Sequence, residues 1–232
     1  MSVLPRTPEP EVMDSETEAL DYDAMDHGEV NAAFCADLLA VQPKPARVLD
    51  VGTGTALIAI DLCRRLPGVT VDAIDLASHM LALAERNVRA AGLANRVRLA
   101  RVDAKATSWP SGTFDTVISN SLVHHVPDPS TLYAELWRLV GRGGVLFVRD
   151  LARPEDAAQL ERLAERYAPA PDEEISPGGA MRARQRALFI ASLHAAFTVD
   201  EVRAIVAPLG IGGQSVRMTS DRHWTLAQAR HE

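Results

Sequence analysis

Three carboxylates matter for where they stand. Asp50 comes just before the glycine loop Gly52-Thr53-Gly54, Asp75 closes Val71-Asp72-Ala73-Ile74-Asp75, and Asp103 closes Leu99-Ala100-Arg101-Val102-Asp103. Each lies at the end of a short apolar run of the kind that forms a buried strand. On neighbouring parallel strands the three would line one crevice at the carboxyl ends, where open α/β sheets bind ligands. Glycines in the loop let backbone N–H groups approach such a ligand closely.

Two ligand classes compete for that loop. A dinucleotide places its pyrophosphate at the helix N-terminus, with the fingerprint G-x-G-x-x-G/A. Here Gly52 and Gly54 fit, but Leu57 holds the third position. Asp50 would also repel a pyrophosphate. It suits a cation instead, such as the ammonium and sulfonium of S-adenosylmethionine. Asp75 could accept both hydroxyls of a ribose, and Asp103 the exocyclic amine of adenine. Taken singly, each Asp also suits a turn or a helix cap; taken together they favour ligand contact.

Groups that could act on a second reactant follow the fourth and fifth apolar runs. Asn120 and Ser121 should lie beside the reactive end of the cofactor, with His124 and His125 next along. Neutral histidine is the usual base near pH 7, although a His pair in a loop is as often structural. Arg149, Asp150 and Arg153 are expected at the same mouth, where arginine forks could hold an anionic substrate; an Arg–acid structural pair is the other reading. Tyr22, His27 and Asn31 are expected in a lid over the cofactor. No metal is expected, because no third ligand stands at helical or strand spacing, with Asp128 the nearest acid.

The intervening pattern supplies the elements that must position these residues. Residues 1–12, with Pro5, Pro8 and Pro10, read as a flexible arm. From about Ser15 to Val41 one helix is predicted, with Val30, Phe34, Leu38 and Val41 on one face. Strands are predicted at Arg47–Val51, Val69–Ile74, Val97–Val102, Phe114–Ser119 and Gly144–Val148, alternating with helices at Thr55–Leu66, Ser78–Ala91 and from Asp128-Pro129. Further helices are expected near Leu160–Tyr167 and at Met181–Phe197, and Thr198-Val199-Asp200-Glu201 is a capping box. Val216–Met218 and Arg222–Leu226 read as a hairpin. The basic run Met181–Arg186 reads as a solvated face.

Composition narrows the classes. The chain has 232 residues, 47% of them hydrophobic and 24% charged, as in ordinary globular proteins. No run approaches the roughly 18 apolar residues of a membrane span, and no secretory signal pattern is present, which points to a cytoplasmic protein. Cys35 and Cys63 are the two cysteines and read as buried thiols. The net charge of −7 is uneven: residues 1–30 carry −8 and the remainder +1. A nearly neutral body lacks the basic footprint of a nucleic-acid binder.

With these motifs in order, the sequence resembles a class I S-adenosylmethionine-dependent methyltransferase of the small-molecule type, from about Arg47 to Asp150. Asp50 to Gly54 matches the family's first motif, Asp75 its ribose acid and Asp103 its adenine-contacting acid. Phe114 to Asn120 and Gly143 to Leu146 match the fourth- and fifth-strand motifs. Ala56 departs from the third glycine often found in the first motif.

The resemblance implies a Rossmann-like, doubly wound seven-stranded sheet, mostly parallel, with an antiparallel C-terminal hairpin. It implies a cofactor set of Asp50, Gly52, Thr53, Gly54, Asp75, Leu76, Asp103, Ala104, Asn120 and Ser121. The expected organisation is an arm at 1–12, a helical lid at 13–42, the cofactor-binding core at 43–150, a helical cap at 151–197, and a helix and hairpin at 198–232 that complete the sheet. Base methylation is disfavoured by the missing prolines after the fourth strand, and C5-cytosine chemistry by the lack of a placed cysteine. The expected activity is methyl transfer to a small metabolite, anionic metabolites included, with a homodimer as an open assembly. The competing readings are another reaction on the same cofactor and a non-catalytic partner-binding subunit.

Overall fold

The computed structural model describes residues 4–10, 14–25, 28–170 and 177–231. In chain order the elements are α1 (Glu16–Asp23), α2 (Gly28–Val41), β1 (Arg47–Val51), α3 (Leu57–Arg65), β2 (Thr70–Asp75), α4 (Ser78–Ala90), β3 (Val97–Arg101) and β4 (Phe114–Asn120). They continue with α5 (Ser130–Leu139), β5 (Val140–Leu151), α6 (Ala157–Tyr167), α7 (Pro177–Ala195), α8 (Val199–Val206), β6 (Val216–Met218) and β7 (His223–Ala229).

The seven strands lie in the order β3-β2-β1-β4-β5-β7-β6. β7 pairs antiparallel with both β5 and β6, and the other pairings are parallel. The chain steps outward from β1 to β3, then returns to place β4 on the other side of β1. That reversal opens a crevice at the carboxyl ends of β1 and β4, as expected of such sheets.

Alternation along each strand divides the core in two. Val48, Val71, Ala73 and Phe147 face one layer, where they meet Phe34, Cys35 and Leu38 of α2 and Ile60 and Leu62 of α3. Leu49, Val51, Ile74 and Val148 face the other, against Leu132 and Leu136 of α5 and Val202 of α8. Phe34 meets Phe147 edge to face at 5.0 Å between centroids. Cys35 and Cys63 are buried free thiols, and burial pushes both up. No helix among the described residues is long and apolar enough to cross a membrane.

Several sequence expectations need correction. The single helix predicted from Ser15 to Val41 is two, α1 and α2. α7 begins at Pro177 rather than Met181, because proline is tolerated in a first turn, where its missing N–H has no partner to lose. The predicted start at Asp128-Pro129 is displaced to Ser130, whose N–H the Asp128 carboxylate accepts at 3.0 Å.

The basic run on α7 is not simply solvated: Arg184 forks onto Asp21 at 2.6 and 3.0 Å, and Arg186 reaches Glu161 and the carbonyl of Ala168. The capping box at Thr198 is present in both directions.

Two differences bear on the site. Residues 4–10 of the expected flexible arm lie against the body as a strap. Arg6 donates to the carbonyls of His124, Val126, Pro127 and Ala195, and its guanidinium sits 3.8 Å from the Phe197 ring centroid. β5 also runs on to Leu151, three residues past the predicted end. Arg149 and Asp150 are therefore strand neighbours on opposite faces of the sheet, not companions in one mouth.

The Arg149 guanidinium points to the α2 side, where it donates to Asp37 at 2.5 Å and Thr225 at 2.9 Å. Asp37→Ala should leave this buried cation without its charged partner and lower the unfolding free energy by about 1–3 kcal/mol. Chemical denaturation checks this; a change below about 0.5 kcal/mol would mean that Asp37 does not hold Arg149 in place.

Candidate active site

The glycine loop is pinned before any ligand arrives. Gly52 and Thr53 both donate N–H bonds to the carbonyl of Ile74 on β2, at 2.9 and 3.0 Å. Gly52 has φ +68°, and a Cβ there would stand 2.8 Å from Leu122, so glycine is required on both counts. Among the described residues, two non-glycine residues share this left-handed conformation: Ala56 (φ 63°) and Ser121 (φ 56°). Each is strained by about 1–2 kcal/mol. They follow the β1 loop and the β4 strand respectively, and such strain gathers where a site demands a particular backbone path. Ala56 thus keeps the backbone that the expected third glycine would supply.

Period two along the strands turns Asp50 and Asp75 to the same face. Asp50 is 2% exposed and accepts the Thr53 hydroxyl at 2.7 Å. Burial, opposed by the Thr53 bond and helped by repulsion from Asp75, pushes the Asp50 carboxyl up to about 7. Asp75 accepts N–H bonds from Gly54 and Ala77, both at 2.9 Å, and burial still raises it. Each Asp75 oxygen keeps a lone pair beyond its N–H bond. Asp103 accepts the Lys105 N–H at 2.9 Å, with the ammonium 3.3 Å away.

Two adjoining cavities occupy the crevice. The larger encloses about 840 Å³, its open mouth included, and is lined by Gly52, Gly54, Asp75, Leu76, Asp103, Ala104, Asn120, Ser121, His125 and Tyr22 among others. The smaller, about 350 Å³, is lined by Asp50, Thr53, Thr55, Asn31, Tyr22 and Asn120. All ten residues of the expected cofactor set thus border one or the other. The Asn120 side-chain oxygen is buried and has no hydrogen-bond partner among the described residues, as for a group awaiting a ligand. Asp50, the acid of the smaller cavity, would face the cationic end of S-adenosylmethionine, and Asp75 and Asp103 its ribose and base.

Of His124, His125, Arg149, Asp150 and Arg153, which were expected to act on the second reactant, His125 alone borders either cavity. His124 is buried, with Nδ1 2.6 Å from Asp150 Oδ1, and its backbone N–H donates to the same carboxylate at 3.1 Å. Asp150 is fully buried in that exchange. Arg149 is engaged across the sheet by Asp37, and Arg153 by Glu201 and the Ala196 carbonyl. The expected arginine grip on an anionic substrate is therefore consumed by structural pairs.

The lid residues fare differently from one another. Tyr22 borders both cavities and Asn31 the smaller one, while His27 lies outside the described residues. α1 packs on α4 through Ala19, Ala77, Met80 and Leu83, and α7 holds it through Arg184 and through Gln185, which donates to the Asp21 carbonyl at 2.9 Å.

Sequence reasoning missed Thr55, Met80, Leu122 and Lys105 in the cavity walls; the first and last adjoin predicted motifs and could have been included. It also missed Glu9, whose carboxylate lies 3.1 Å from His125 Nδ1. Nothing in the spacing of a proline-rich segment signals that contact.

Protonation of a buried carboxylate near pH 7 must weaken binding of a cation. From pH 7.5 to pH 5.5 the association constant for S-adenosylmethionine should fall by about tenfold or more, one unit of pKa corresponding to about 1.4 kcal/mol. In Asp50→Asn binding should be weak and that part of the slope absent. Calorimetric titration across this range checks both; an unchanged slope in Asp50→Asn would remove Asp50 from the cation site.

Residues 48–144 match the family profile described as a methyltransferase domain. Over 120 residues the chain is 38% identical to a demethylmenaquinone methyltransferase from Thermus thermophilus, covering 52% of this chain and 54% of that protein. The chain thus spans about half the length of this curated relative. A structure from Methanococcus maripaludis described as an S-adenosyl-L-methionine-dependent methyltransferase superposes with TM-score 0.67 at 13% identity, covering 97% of each chain. The [4+2]-cyclase SpnF superposes with TM-score 0.61 at 17% identity, covering 100% of this chain and 99% of its own. The profile match over residues 48–144, the sheet order and the acids at the ends of β1 and β2 agree: this stretch is similar to a methyltransferase domain, and the chain has the fold of S-adenosylmethionine-dependent methyltransferases.

Proposed function

We propose that the protein transfers the methyl group of S-adenosylmethionine to a small-molecule acceptor. The observation that carries this reading is the pair of joined cavities, with a desolvated carboxylate, Asp50, in one and Asp75 and Asp103 in the other. Bound there, the cofactor supplies an electrophilic methyl on a sulfonium. The chain's own task is to hold an acceptor in line with that methyl near contact distance. Tyr22 and Asn31 close the cofactor from the lid side, and His125 is the residue proposed to touch the acceptor. Tyr22 roofs both cavities, which favours a metabolite over a macromolecule. The similarity to a demethylmenaquinone methyltransferase supports the same class of acceptor.

A second reading has a specific observation behind it. The same fold, over the whole chain, serves a [4+2]-cyclase, so a reaction that leaves the methyl in place remains the competitor.

Incubation with S-adenosylmethionine and a metabolite library distinguishes the two. The methyl-transfer reading expects S-adenosylhomocysteine to accumulate with at least one acceptor, and Asp75→Ala to weaken cofactor affinity more than tenfold. A converted substrate with the cofactor unconsumed would establish the competitor. Unchanged cofactor affinity in Asp75→Ala would overturn the ribose assignment.

A further inference from the structure

The strap and the turn after β4 bring together three side chains that the methyl-transfer reading does not require as a group. Glu9 lies on the strap, and His124 and His125 lie on the 3₁₀ turn Val123–His125. Their ligand-type atoms all fall within 4.8 Å of one another. Glu9 Oε2 stands 3.1 Å from His125 Nδ1, but the contact lacks the alignment of a hydrogen bond. Glu9 Oε1 and His125 Nδ1 are both buried and have no hydrogen-bond partner among the described residues. Buried polar atoms left in this way are rare in folded proteins and call for a partner.

The two imidazoles are sequence neighbours, yet their centroids are 4.1 Å apart with planes tilted 37°. The tight turn turns them toward one another rather than apart. Asp150 occupies His124 Nδ1 at 2.6 Å, which leaves Nε2 as that ring's ligand atom. A carboxylate on the far nitrogen of a histidine is the usual support of a metal-bound imidazole, fixing its tautomer and raising its basicity. The strap is held in register independently by the Arg6 bonds to the carbonyls of His124 and Val126, so Glu9 is presented to the turn before any ion arrives.

From this geometry we propose that Glu9, His124 and His125 bind a divalent transition-metal ion of the zinc class, with Asp150 as the supporting carboxylate. Two imidazoles and one carboxylate suit a borderline ion better than magnesium or calcium, which take oxygen ligands. Three protein ligands leave a fourth position for water, as in open zinc sites. The charges balance: the dication is met by the Glu9 and Asp150 carboxylates. Because His125 also walls the larger cavity, the ion would tie the strap to that wall. Spacing in the sequence does not single out Glu9 as a third candidate ligand, because it comes from a segment with no regular spacing to the turn. The inference does not depend on the reaction catalysed.

The test uses the full, untagged chain, stripped with chelator and titrated with Zn²⁺ alone, then with Co²⁺ alone. One Zn²⁺ per chain should bind with a dissociation constant in the micromolar range or tighter, and Co²⁺ should give the visible d–d bands of a low-coordinate N/O site. Glu9→Gln, on the outer strap, should weaken Zn²⁺ at least tenfold while the thermal unfolding midpoint without metal changes little. His231→Ala should leave binding unchanged. Should His125→Ala fail to fold, Glu9→Gln still decides the matter. Absence of stoichiometric binding, or binding that Glu9→Gln leaves untouched, would overturn the site and leave Glu9 and His125 as an ion pair only.

Discussion

The crevice is built around one carboxylate kept out of water. Asp50 sits where β1 meets the reversal of strand order, and among the described residues its one side-chain hydrogen bond comes from the Thr53 hydroxyl. A buried carboxylate with so little compensation is costly unless it neutralises or is paired. Its carboxyl is accordingly pushed up to about 7, and a cation in the adjoining cavity would return it to the charged form. The glycine loop, the left-handed Ala56 and the tether to Ile74 all hold backbone around that group. On the proposed reading, a preference for a cationic ligand would follow from a desolvation penalty that the fold carries in advance.

Strand alternation decides most of what else can reach the ligand. It turns Asp50 and Asp75 to the same face and sends Arg149 and Asp150 to opposite ones. The same rule explains how far the site was legible in the sequence. The acids and glycines that border the cavities were found because each follows a recognisable apolar run, and the run fixes its place in the sheet. Arg149 and Asp150 were misplaced because β5 continues past Val148 into residues too polar to look like strand. β5 pairs with β7 through Leu151, a long-range contact with no local signature.

The N-terminal segment was the least legible part. Its acidity and prolines suggested a free arm, and composition does predict solvation in the absence of partners. The partners are distant in sequence: carbonyls at the end of α7 and in the turn after β4 receive Arg6, and the Asp21 carboxylate receives Arg184. The acids thus do local work. Asp21 anchors α1 to α7, Asp14 meets Ser78 and the N–H of His79 at the start of α4, and Glu9 meets His125. Part of the uneven charge noted in the sequence thus serves to clasp the N-terminal segment to the body.

The central claim is most directly tested by carbon-13 NMR of aspartate carboxyl groups, following Asp50 through a pH titration with and without S-adenosylmethionine. Without the cofactor its midpoint should lie near 7. Saturating cofactor should move it down by more than one unit, while adenosine, which carries no cation, should not. A midpoint near 4 in the free protein, or one that the cofactor leaves in place, would contradict the claim that a desolvated Asp50 selects the sulfonium ligand.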